Sequence, residues 1–147
     1  MELIRYLLLA LLVSLGTFIG YVISFYTKDE LKRGTGYVEL AQKLLIVVLA
    51  VCLLYWGLYP FAVSVILIAI VVFYFLQSNL IYFTFGVLFF VVSFYQFATD
   101  CLAFLICLFF ILAGLLMYKE EVKRVFYAWG SFLLTAIVLR IIWQLAA

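Results

Sequence analysis

The stretch YTKDELKRGTGYVELAQK, from Tyr26 to Lys43, is the long polar interruption in a chain that is otherwise almost continuously apolar. It carries four of the nine basic residues, namely Lys28, Lys32, Arg33 and Lys43. Apolar segments long enough to cross a bilayer lie on both sides of it. The stretch therefore separates a first membrane span from the rest of the chain, and it constrains how the remaining spans are threaded.

The composition indicates an integral membrane protein built from helices. Hydrophobic residues make up 71% of the 147 residues and charged residues only 11%, whereas a soluble domain is about half apolar and a quarter charged. No charged residue and no histidine occurs between Lys43 and Asp100. The long segments are apolar at every position rather than at alternate positions, which favours transmembrane helices over a closed barrel of strands.

The same composition leaves few options for chemistry. The net charge of +2 comes with no basic face, so nucleic acid is excluded as a partner. The chain has no histidine and no recognisable catalytic motif. Cys52, Cys101 and Cys107 lack the spacing of metal ligands. We therefore predict no catalytic residue, no metal site and no cofactor, and an enzyme is the least favoured class.

We predict a single transmembrane domain, residues 1–147, folded as an all-α bundle of six transmembrane helices. A span needs about 20 residues, and about 17 suffice for a short one. Polar and turn-forming residues at 57–60, 77–79 and 96–100 separate the middle spans. The six spans are expected at about 3–26, 42–58, 61–77, 80–97, 100–118 and 125–145.

The distribution of basic residues favours six spans over five. With six spans, the two polar connections lie on one face, and that face carries seven of the nine basic residues. The seven are Lys28, Lys32, Arg33, Lys43, Lys119, Lys123 and Arg124, against Arg5 and Arg140 on the other face. Five spans would place the connections on opposite faces. Because cytoplasmic connections are enriched in Lys and Arg, we predict both connections inside and both termini outside.

The first connection is expected to form a short amphipathic helix, residues 28–33, at the inner face. Thr27 and Glu30 have the spacing of a capping box, and Gly34 is suited to ending the helix. The connection at 119–124 repeats the same order of charges, which reflects either a duplicated hairpin or the mixed charge that is common beside a span. The charged residues of the two connections are Lys28, Asp29, Glu30, Lys32, Arg33, Lys119, Glu120, Glu121, Lys123 and Arg124.

Two further groups of residues are candidates for specific contacts. Gly16, Gly20 and Ser24 recur every four residues, so they line one face of the first span, where another helix can approach closely. That helix belongs either to the same chain or to a second copy. Asp100 and Arg140 each lie about 20 residues from the second connection, so their depths match and we predict an ion pair between them near the outer face.

Three functions remain open. The leading hypothesis is a small transporter or channel-like protein for a lipophilic or uncharged solute, because aromatic side chains crowd the spans at 61–77 and 80–97. The alternative is a non-catalytic scaffold or complex subunit that binds a partner through residues 27–43. The third is an intramembrane enzyme that acts on lipid head groups, with acidic groups Asp29, Glu30, Glu120 and Glu121.

The expected partners are the lipid bilayer and either a second copy, in a homo-oligomer, or a membrane partner subunit. Packing inside the bundle distinguishes the three functions. A water-filled cavity supports transport, a tightly packed bundle with an exposed flank supports a scaffold, and carboxylates that converge at the inner face support an enzyme.

Overall fold

The computed structural model describes residues 2–57, 80–117 and 122–146, and within these ranges the chain is all-helical. The helices are α1 (Leu3–Tyr26), α2 (Lys28–Tyr55), α3 (Leu80–Val92), α4 (Gln96–Leu116) and α5 (Val122–Ala146). All but α3 are long and apolar enough to cross a membrane. The described residues therefore agree with a multi-pass, all-α membrane bundle, and the span expected at 61–77 lies outside them.

Helices α1 and α4 form the centre of the bundle and share the most extensive contact of the described helix pairs. They run parallel, because Arg5 meets Asp100 near the two N-terminal ends while Gly20 meets Ile111 farther along. The Asp100 end of the bundle is the end where these N-termini lie. The Thr27 end is the opposite one, where Thr27 joins α1 to α2.

The close approach of α1 to α4 depends on glycine. A Cβ atom added at Gly16 would lie 2.8 Å from the carbonyl oxygen of Cys107, and one added at Gly20 would overlap the backbone of Ile111. On α4, Gly114 also lies directly against the backbone of α1. In lipid, helices associate through such close packing, because the surrounding tails are as apolar as the helices themselves.

The other helices pack around this pair in alternating directions. Helix α5 is antiparallel to α1, because the Tyr6 hydroxyl donates to the Ala136 carbonyl while the Trp129 indole donates to Ser14 farther along α1. Helix α2 returns from Thr27 and packs against α4. It reaches the Asp100 end, where the thiols of Cys52 and Cys101 are close enough to interact electrostatically.

Helix α3 runs parallel to α5 and ends at the Asp100 end. Gly86 packs against Phe132 and Thr135, and seven residues later Ser93 accepts a hydrogen bond from Arg140. At the start of α3, Tyr82 lies close enough to Arg124 to interact electrostatically. The direction of α3 is therefore from the Thr27 end towards the Asp100 end.

Aromatic side chains fill the space between α1, α3, α4 and α5. Phe110 on α4 is fully buried, and its ring centroid lies 4.9 Å from that of Phe132 and 5.2 Å from that of Tyr82. Phe85 packs against Phe109, and their ring centroids are 4.7 Å apart. These tilted and edge-on ring contacts are the favourable geometries for aromatic pairs.

Helix α2 differs from the expected short helix at 28–33. It continues without a break through Gly34 and Gly36 to Tyr55. Glycine ends a helix by adopting a positive φ, and among the described residues only Gly57 does so, with φ of 73°. The predicted capping box is also absent, because the Thr27 hydroxyl donates to the Ile23 carbonyl of the preceding turn.

Candidate functional site

An ion pair joins the two central helices at the Asp100 end. Arg5 Nη2 lies 2.9 Å from one carboxylate oxygen of Asp100 and 3.2 Å from the other. Both side chains are more than half exposed, at 59% and 57%. A pair with this exposure contributes about 0–1 kcal/mol to stability, so the close glycine contacts hold α1 and α4 together more than this pair does.

The pairing of Asp100 with Arg5 replaces the predicted pairing with Arg140. The prediction matched Asp100 and Arg140 by depth alone. In the structure, α1 is the parallel neighbour of α4 and brings Arg5 to the carboxylate, while the Arg140 side chain is buried between α1 and α3.

Arg140 forms the centre of a buried polar cluster at this end. The residue is 7% exposed, and its Nη1 donates a long hydrogen bond of 3.4 Å to Ser93 Oγ. Its guanidinium carbon lies 5.3 Å from the ring centroid of Tyr6 and 5.4 Å from that of Phe94. Cation–π contacts of this kind stabilise a cation that is removed from water, so Arg140 ties α5 to α1 and α3.

The second polar region is at the Thr27 end, where the basic residues gather. Lys32 Nζ lies 3.8 Å from Asp29 Oδ1, which is one helical turn away on α2. Their neighbours Lys28, Glu30 and Arg33 are exposed, as is Lys123 at the start of α5, and Arg124 is half-buried. Lys119, Glu120 and Glu121 lie outside the described residues. The acidic side chains described here are therefore solvated rather than gathered at one point.

A shallow groove runs along the polar half of α2. We call it the α2 groove. It has a volume of about 360 Å³ and is lined by Arg33, Gly36, Tyr37, Glu39, Leu40 and Lys43. All six residues belong to α2 itself, so the groove is a surface of one helix rather than a cavity between helices. It presents cationic, anionic, aromatic and aliphatic side chains together.

The Lys43 end of the α2 groove lies beside the core of the bundle. Gln42, next to Lys43 in sequence, is buried, and Ile46, about one turn farther along α2, belongs to the hydrophobic core. The groove therefore extends as far as the part of α2 that contributes to the core.

Helix α2 has distinct inward and outward faces. The inward face buries Gln42, Ile46, Leu49 and Leu53 against the bundle. The outward face carries the groove, in which Tyr37 and Leu40 are exposed whereas Glu39 and Lys43 are half-buried. Sequence reasoning missed this face because it divided the stretch at Gly34. The signal that could have revealed it is the regular helical spacing that continues from the charged residues into the apolar ones.

The aromatic residues of α3 that suggested a solute path, and two hydroxyl residues of α5, lie in packed or internally bonded positions. Phe85 and Phe89 are buried among other rings. Ser131 donates to the Ala128 carbonyl and Thr135 to the Ser131 carbonyl, each within its own helix. Such bonds satisfy hydroxyl groups locally, so in the described part of the chain these groups do not line a polar channel.

The remaining helix-packing candidate is Ser24. It is buried, and its hydroxyl donates to the Tyr21 carbonyl at 2.5 Å. Like Gly16 and Gly20, it lies on the buried face of α1. No group of three His, Cys, Asp or Glu side chains in the described ranges is arranged to hold a metal ion.

Comparison with known proteins gives no relative. No family model matches the chain, and no curated protein or solved structure is significantly similar to it.

Proposed function

We propose that this protein is a non-catalytic membrane subunit that binds a protein partner within the bilayer through the α2 groove. The observation that carries the proposal is the α2 groove itself, which presents charged, aromatic and aliphatic side chains together on an outward helix face beside the packed bundle. A protein partner can match such a mixed surface with polar and apolar groups of its own, whereas lipid tails match only its apolar part.

The packing of the bundle also supports a scaffold more than a transporter. The space between α1, α3, α4 and α5 is filled by rings such as Phe110 and Phe132. The backbones of α1 and α4 touch at Gly20 and Gly114. A central path for a solute would require these contacts to separate, whereas a partner-binding surface requires no change in the core.

Coverage of the α2 groove can be measured with single cysteines in a variant that lacks the three native ones. We expect Leu40→Cys to react slowly with a lipid-soluble maleimide in native membranes, because the partner shields it. The matched control is Ile19→Cys on α1, because the exposed fraction of Ile19 is 49%, close to the 54% of Leu40. After dissociation in a harsh detergent, the two positions should react at similar rates. Equal rates in native membranes would show that lipid, not protein, covers the groove and would refute the proposal.

We also propose that the chain crosses the membrane six times, with the Thr27 end in the cytoplasm. Helix α2 finishes at the Asp100 end, and α3 starts towards the Thr27 end. An additional crossing between Tyr55 and Leu80 would join them. The Thr27 end carries the exposed basic residues Lys28, Lys32 and Lys123, in agreement with the enrichment of such residues in cytoplasmic connections.

Labelling from either side of sealed vesicles tests this topology. In the same cysteine-free variant, Lys32→Cys, Lys123→Cys and Ser78→Cys should react with a membrane-impermeant maleimide only from the cytoplasmic side. Ser78 lies outside the described residues, and its side of the membrane distinguishes six crossings from five. Reaction of Ser78→Cys from the outer side, with Lys32→Cys inside, would exclude the six-span topology.

A further inference from the structure

Two of the three cysteines lie on neighbouring helices at the Asp100 end. Cys52 is half-buried on α2 and packs against the core, whereas Cys101 is exposed on α4. Cys52 lies one turn before the end of α2, and Cys101 lies about 8 Å past the start of α4. Both thiols are therefore near the end of the bundle rather than at its centre.

The two cysteines lie at matching depths. Arg5 on α1 meets Asp100 on α4, which fixes the level of Cys101, the next residue. Because α1 and α2 are joined at Thr27 alone, residues equally far from Thr27 along the two helices lie at similar depths. Arg5 lies about 22 residues before Thr27, and Cys52 lies about 25 residues after it. Cys52 is therefore within about one turn, or roughly 5 Å, of the level of Cys101.

The two side chains also lie on facing flanks of their helices. On α4, the row of residues that contacts α1 includes Asp100 and Ile111, and Cys101 is turned about 100° from that row. The opposite flank of α4 carries Phe110, whose ring contacts α3 and α5. Cys101 is therefore on the flank that is left for α2, which packs against α4. The electrostatic interaction between the thiols of Cys52 and Cys101 agrees with this placement.

A thiol pair in this arrangement can exchange with an external disulfide. The exposed Cys101 thiolate attacks one sulfur of that disulfide, whose S–S bond breaks and whose other half leaves and takes up a proton. The Cys52 thiolate then attacks the Cys101 sulfur of the mixed disulfide and releases the second half. The chain loses two electrons and two protons, and the external disulfide is reduced to two thiols.

We propose that Cys52 and Cys101 form a redox-active pair, which closes to an intramolecular disulfide and fastens α2 to α4 at the Asp100 end. The oxidant is an external disulfide, for which oxidised glutathione serves as the probe. Cys107 takes no part, because a Cβ atom added at Gly16 would lie 3.3 Å from its Sγ atom, which places this thiol at the contact with α1. The pair is separate from the α2 groove, so the inference goes beyond the proposed function and does not depend on it.

Disulfide exchange in the full chain, purified in a mild detergent, tests the pair. In a Cys107→Ser variant, incubation with oxidised glutathione should remove both remaining thiols together. A maleimide linked to polyethylene glycol counts the free thiols in dodecyl sulfate after an acid quench. The intact mass should fall by two hydrogen atoms, with no glutathione attached. Glutathione bound to Cys101 beside a free Cys52 would overturn the proposal, as would two thiols that stay free.

The matched control moves one thiol along the same helix. Phe104 lies one turn after Asp100 in the row that faces α1, and its side chain is 64% exposed. In the Cys107→Ser background, replacing Cys101 with serine and Phe104 with cysteine should lower the yield of the internal disulfide by about tenfold or more, because the bond requires closely opposed Cβ atoms. Equal yields from the two arrangements would show that the pairing is not specific and would overturn the proposal.

Thermal unfolding provides a second readout, because the bond closes a loop that contains α3. A link of this kind constrains the unfolded chain. The oxidised Cys107→Ser variant should therefore unfold at a temperature several degrees higher than its reduced form. A Cys52→Ser variant should show no such difference under the same conditions. An oxidised pair that leaves the unfolding temperature unchanged would contradict the fastening of α2 to α4.

Discussion

Replacing Gly20 with alanine is expected to destabilise the protein more than any other single-methyl change in the described helices. The new Cβ would overlap the carbonyl group of Ile111, and its neighbours there are backbone atoms. Backbone cannot turn aside as a flexible side chain can, so α1 and α4 would have to move apart. Overpacking costs about 1–3 kcal/mol and occasionally more, and we expect a loss at the upper end of that range.

Thermal unfolding in detergent, followed through the fluorescence of the three tryptophans, measures this loss. Gly130→Ala is the matched control, because a Cβ atom at Gly130 would meet nothing within 4 Å. In a helix interior alanine is more favourable than glycine by about 1 kcal/mol. The Gly130→Ala variant should therefore be as stable as the parent protein or slightly more stable. A Gly20→Ala variant as stable as Gly130→Ala would contradict the close contact between α1 and α4.

The second large effect is expected from Phe110→Ala. The Phe110 ring is fully buried and contacts the rings of Tyr82, Phe85 and Phe132. In water such a truncation costs about 3–5 kcal/mol, part of it from transfer and part from the cavity. In a bilayer the unfolded helices remain in an apolar medium, so the loss of stability comes mainly from the lost packing contacts. We therefore expect a loss of roughly 2–3 kcal/mol.

Phe104→Ala provides the comparison for Phe110→Ala. Phe104 lies on the same helix, and its side chain is 64% exposed. Its truncation should change stability by less than about 0.5 kcal/mol, as is usual for surface positions. Steric trapping or denaturant titration in mixed micelles can measure both variants. Similar losses for the two would mean that the aromatic cluster does not stabilise the bundle.

The sequence predicts the long helices well because their signal is strong. A run of apolar residues between charged connections indicates α1, α4 and α5 without any knowledge of tertiary contacts. The boundary of α2 is harder to predict. Gly34 and Gly36 are of a residue type that is typical of turns, and yet both are helical because α2 continues on either side of them. Glycine only permits a left-handed turn, and the rest of the structure determines whether it adopts one.

The side-chain pairs were less predictable than the helices. Depth along the membrane can be counted from the sequence, and this count placed Asp100 near the level of Arg140. Which helix lies beside α4 depends on the order of packing, and α1 takes that place with Arg5. The α2 groove escaped prediction for a related reason. Its position beside the core depends on the antiparallel pairing of α2 with α4, which no local pattern encodes.

The parallel contact between α1 and α4 also has a consequence for biosynthesis. About 70 residues separate the end of α1 from the start of α4, and at 5–20 residues per second the ribosome needs roughly 4–14 s to make them. During that interval α1 is already made, but the partner that fills its glycine face is not. The first helix must therefore wait, next to lipid or the insertion machinery, and the central contact of the bundle is completed late in synthesis.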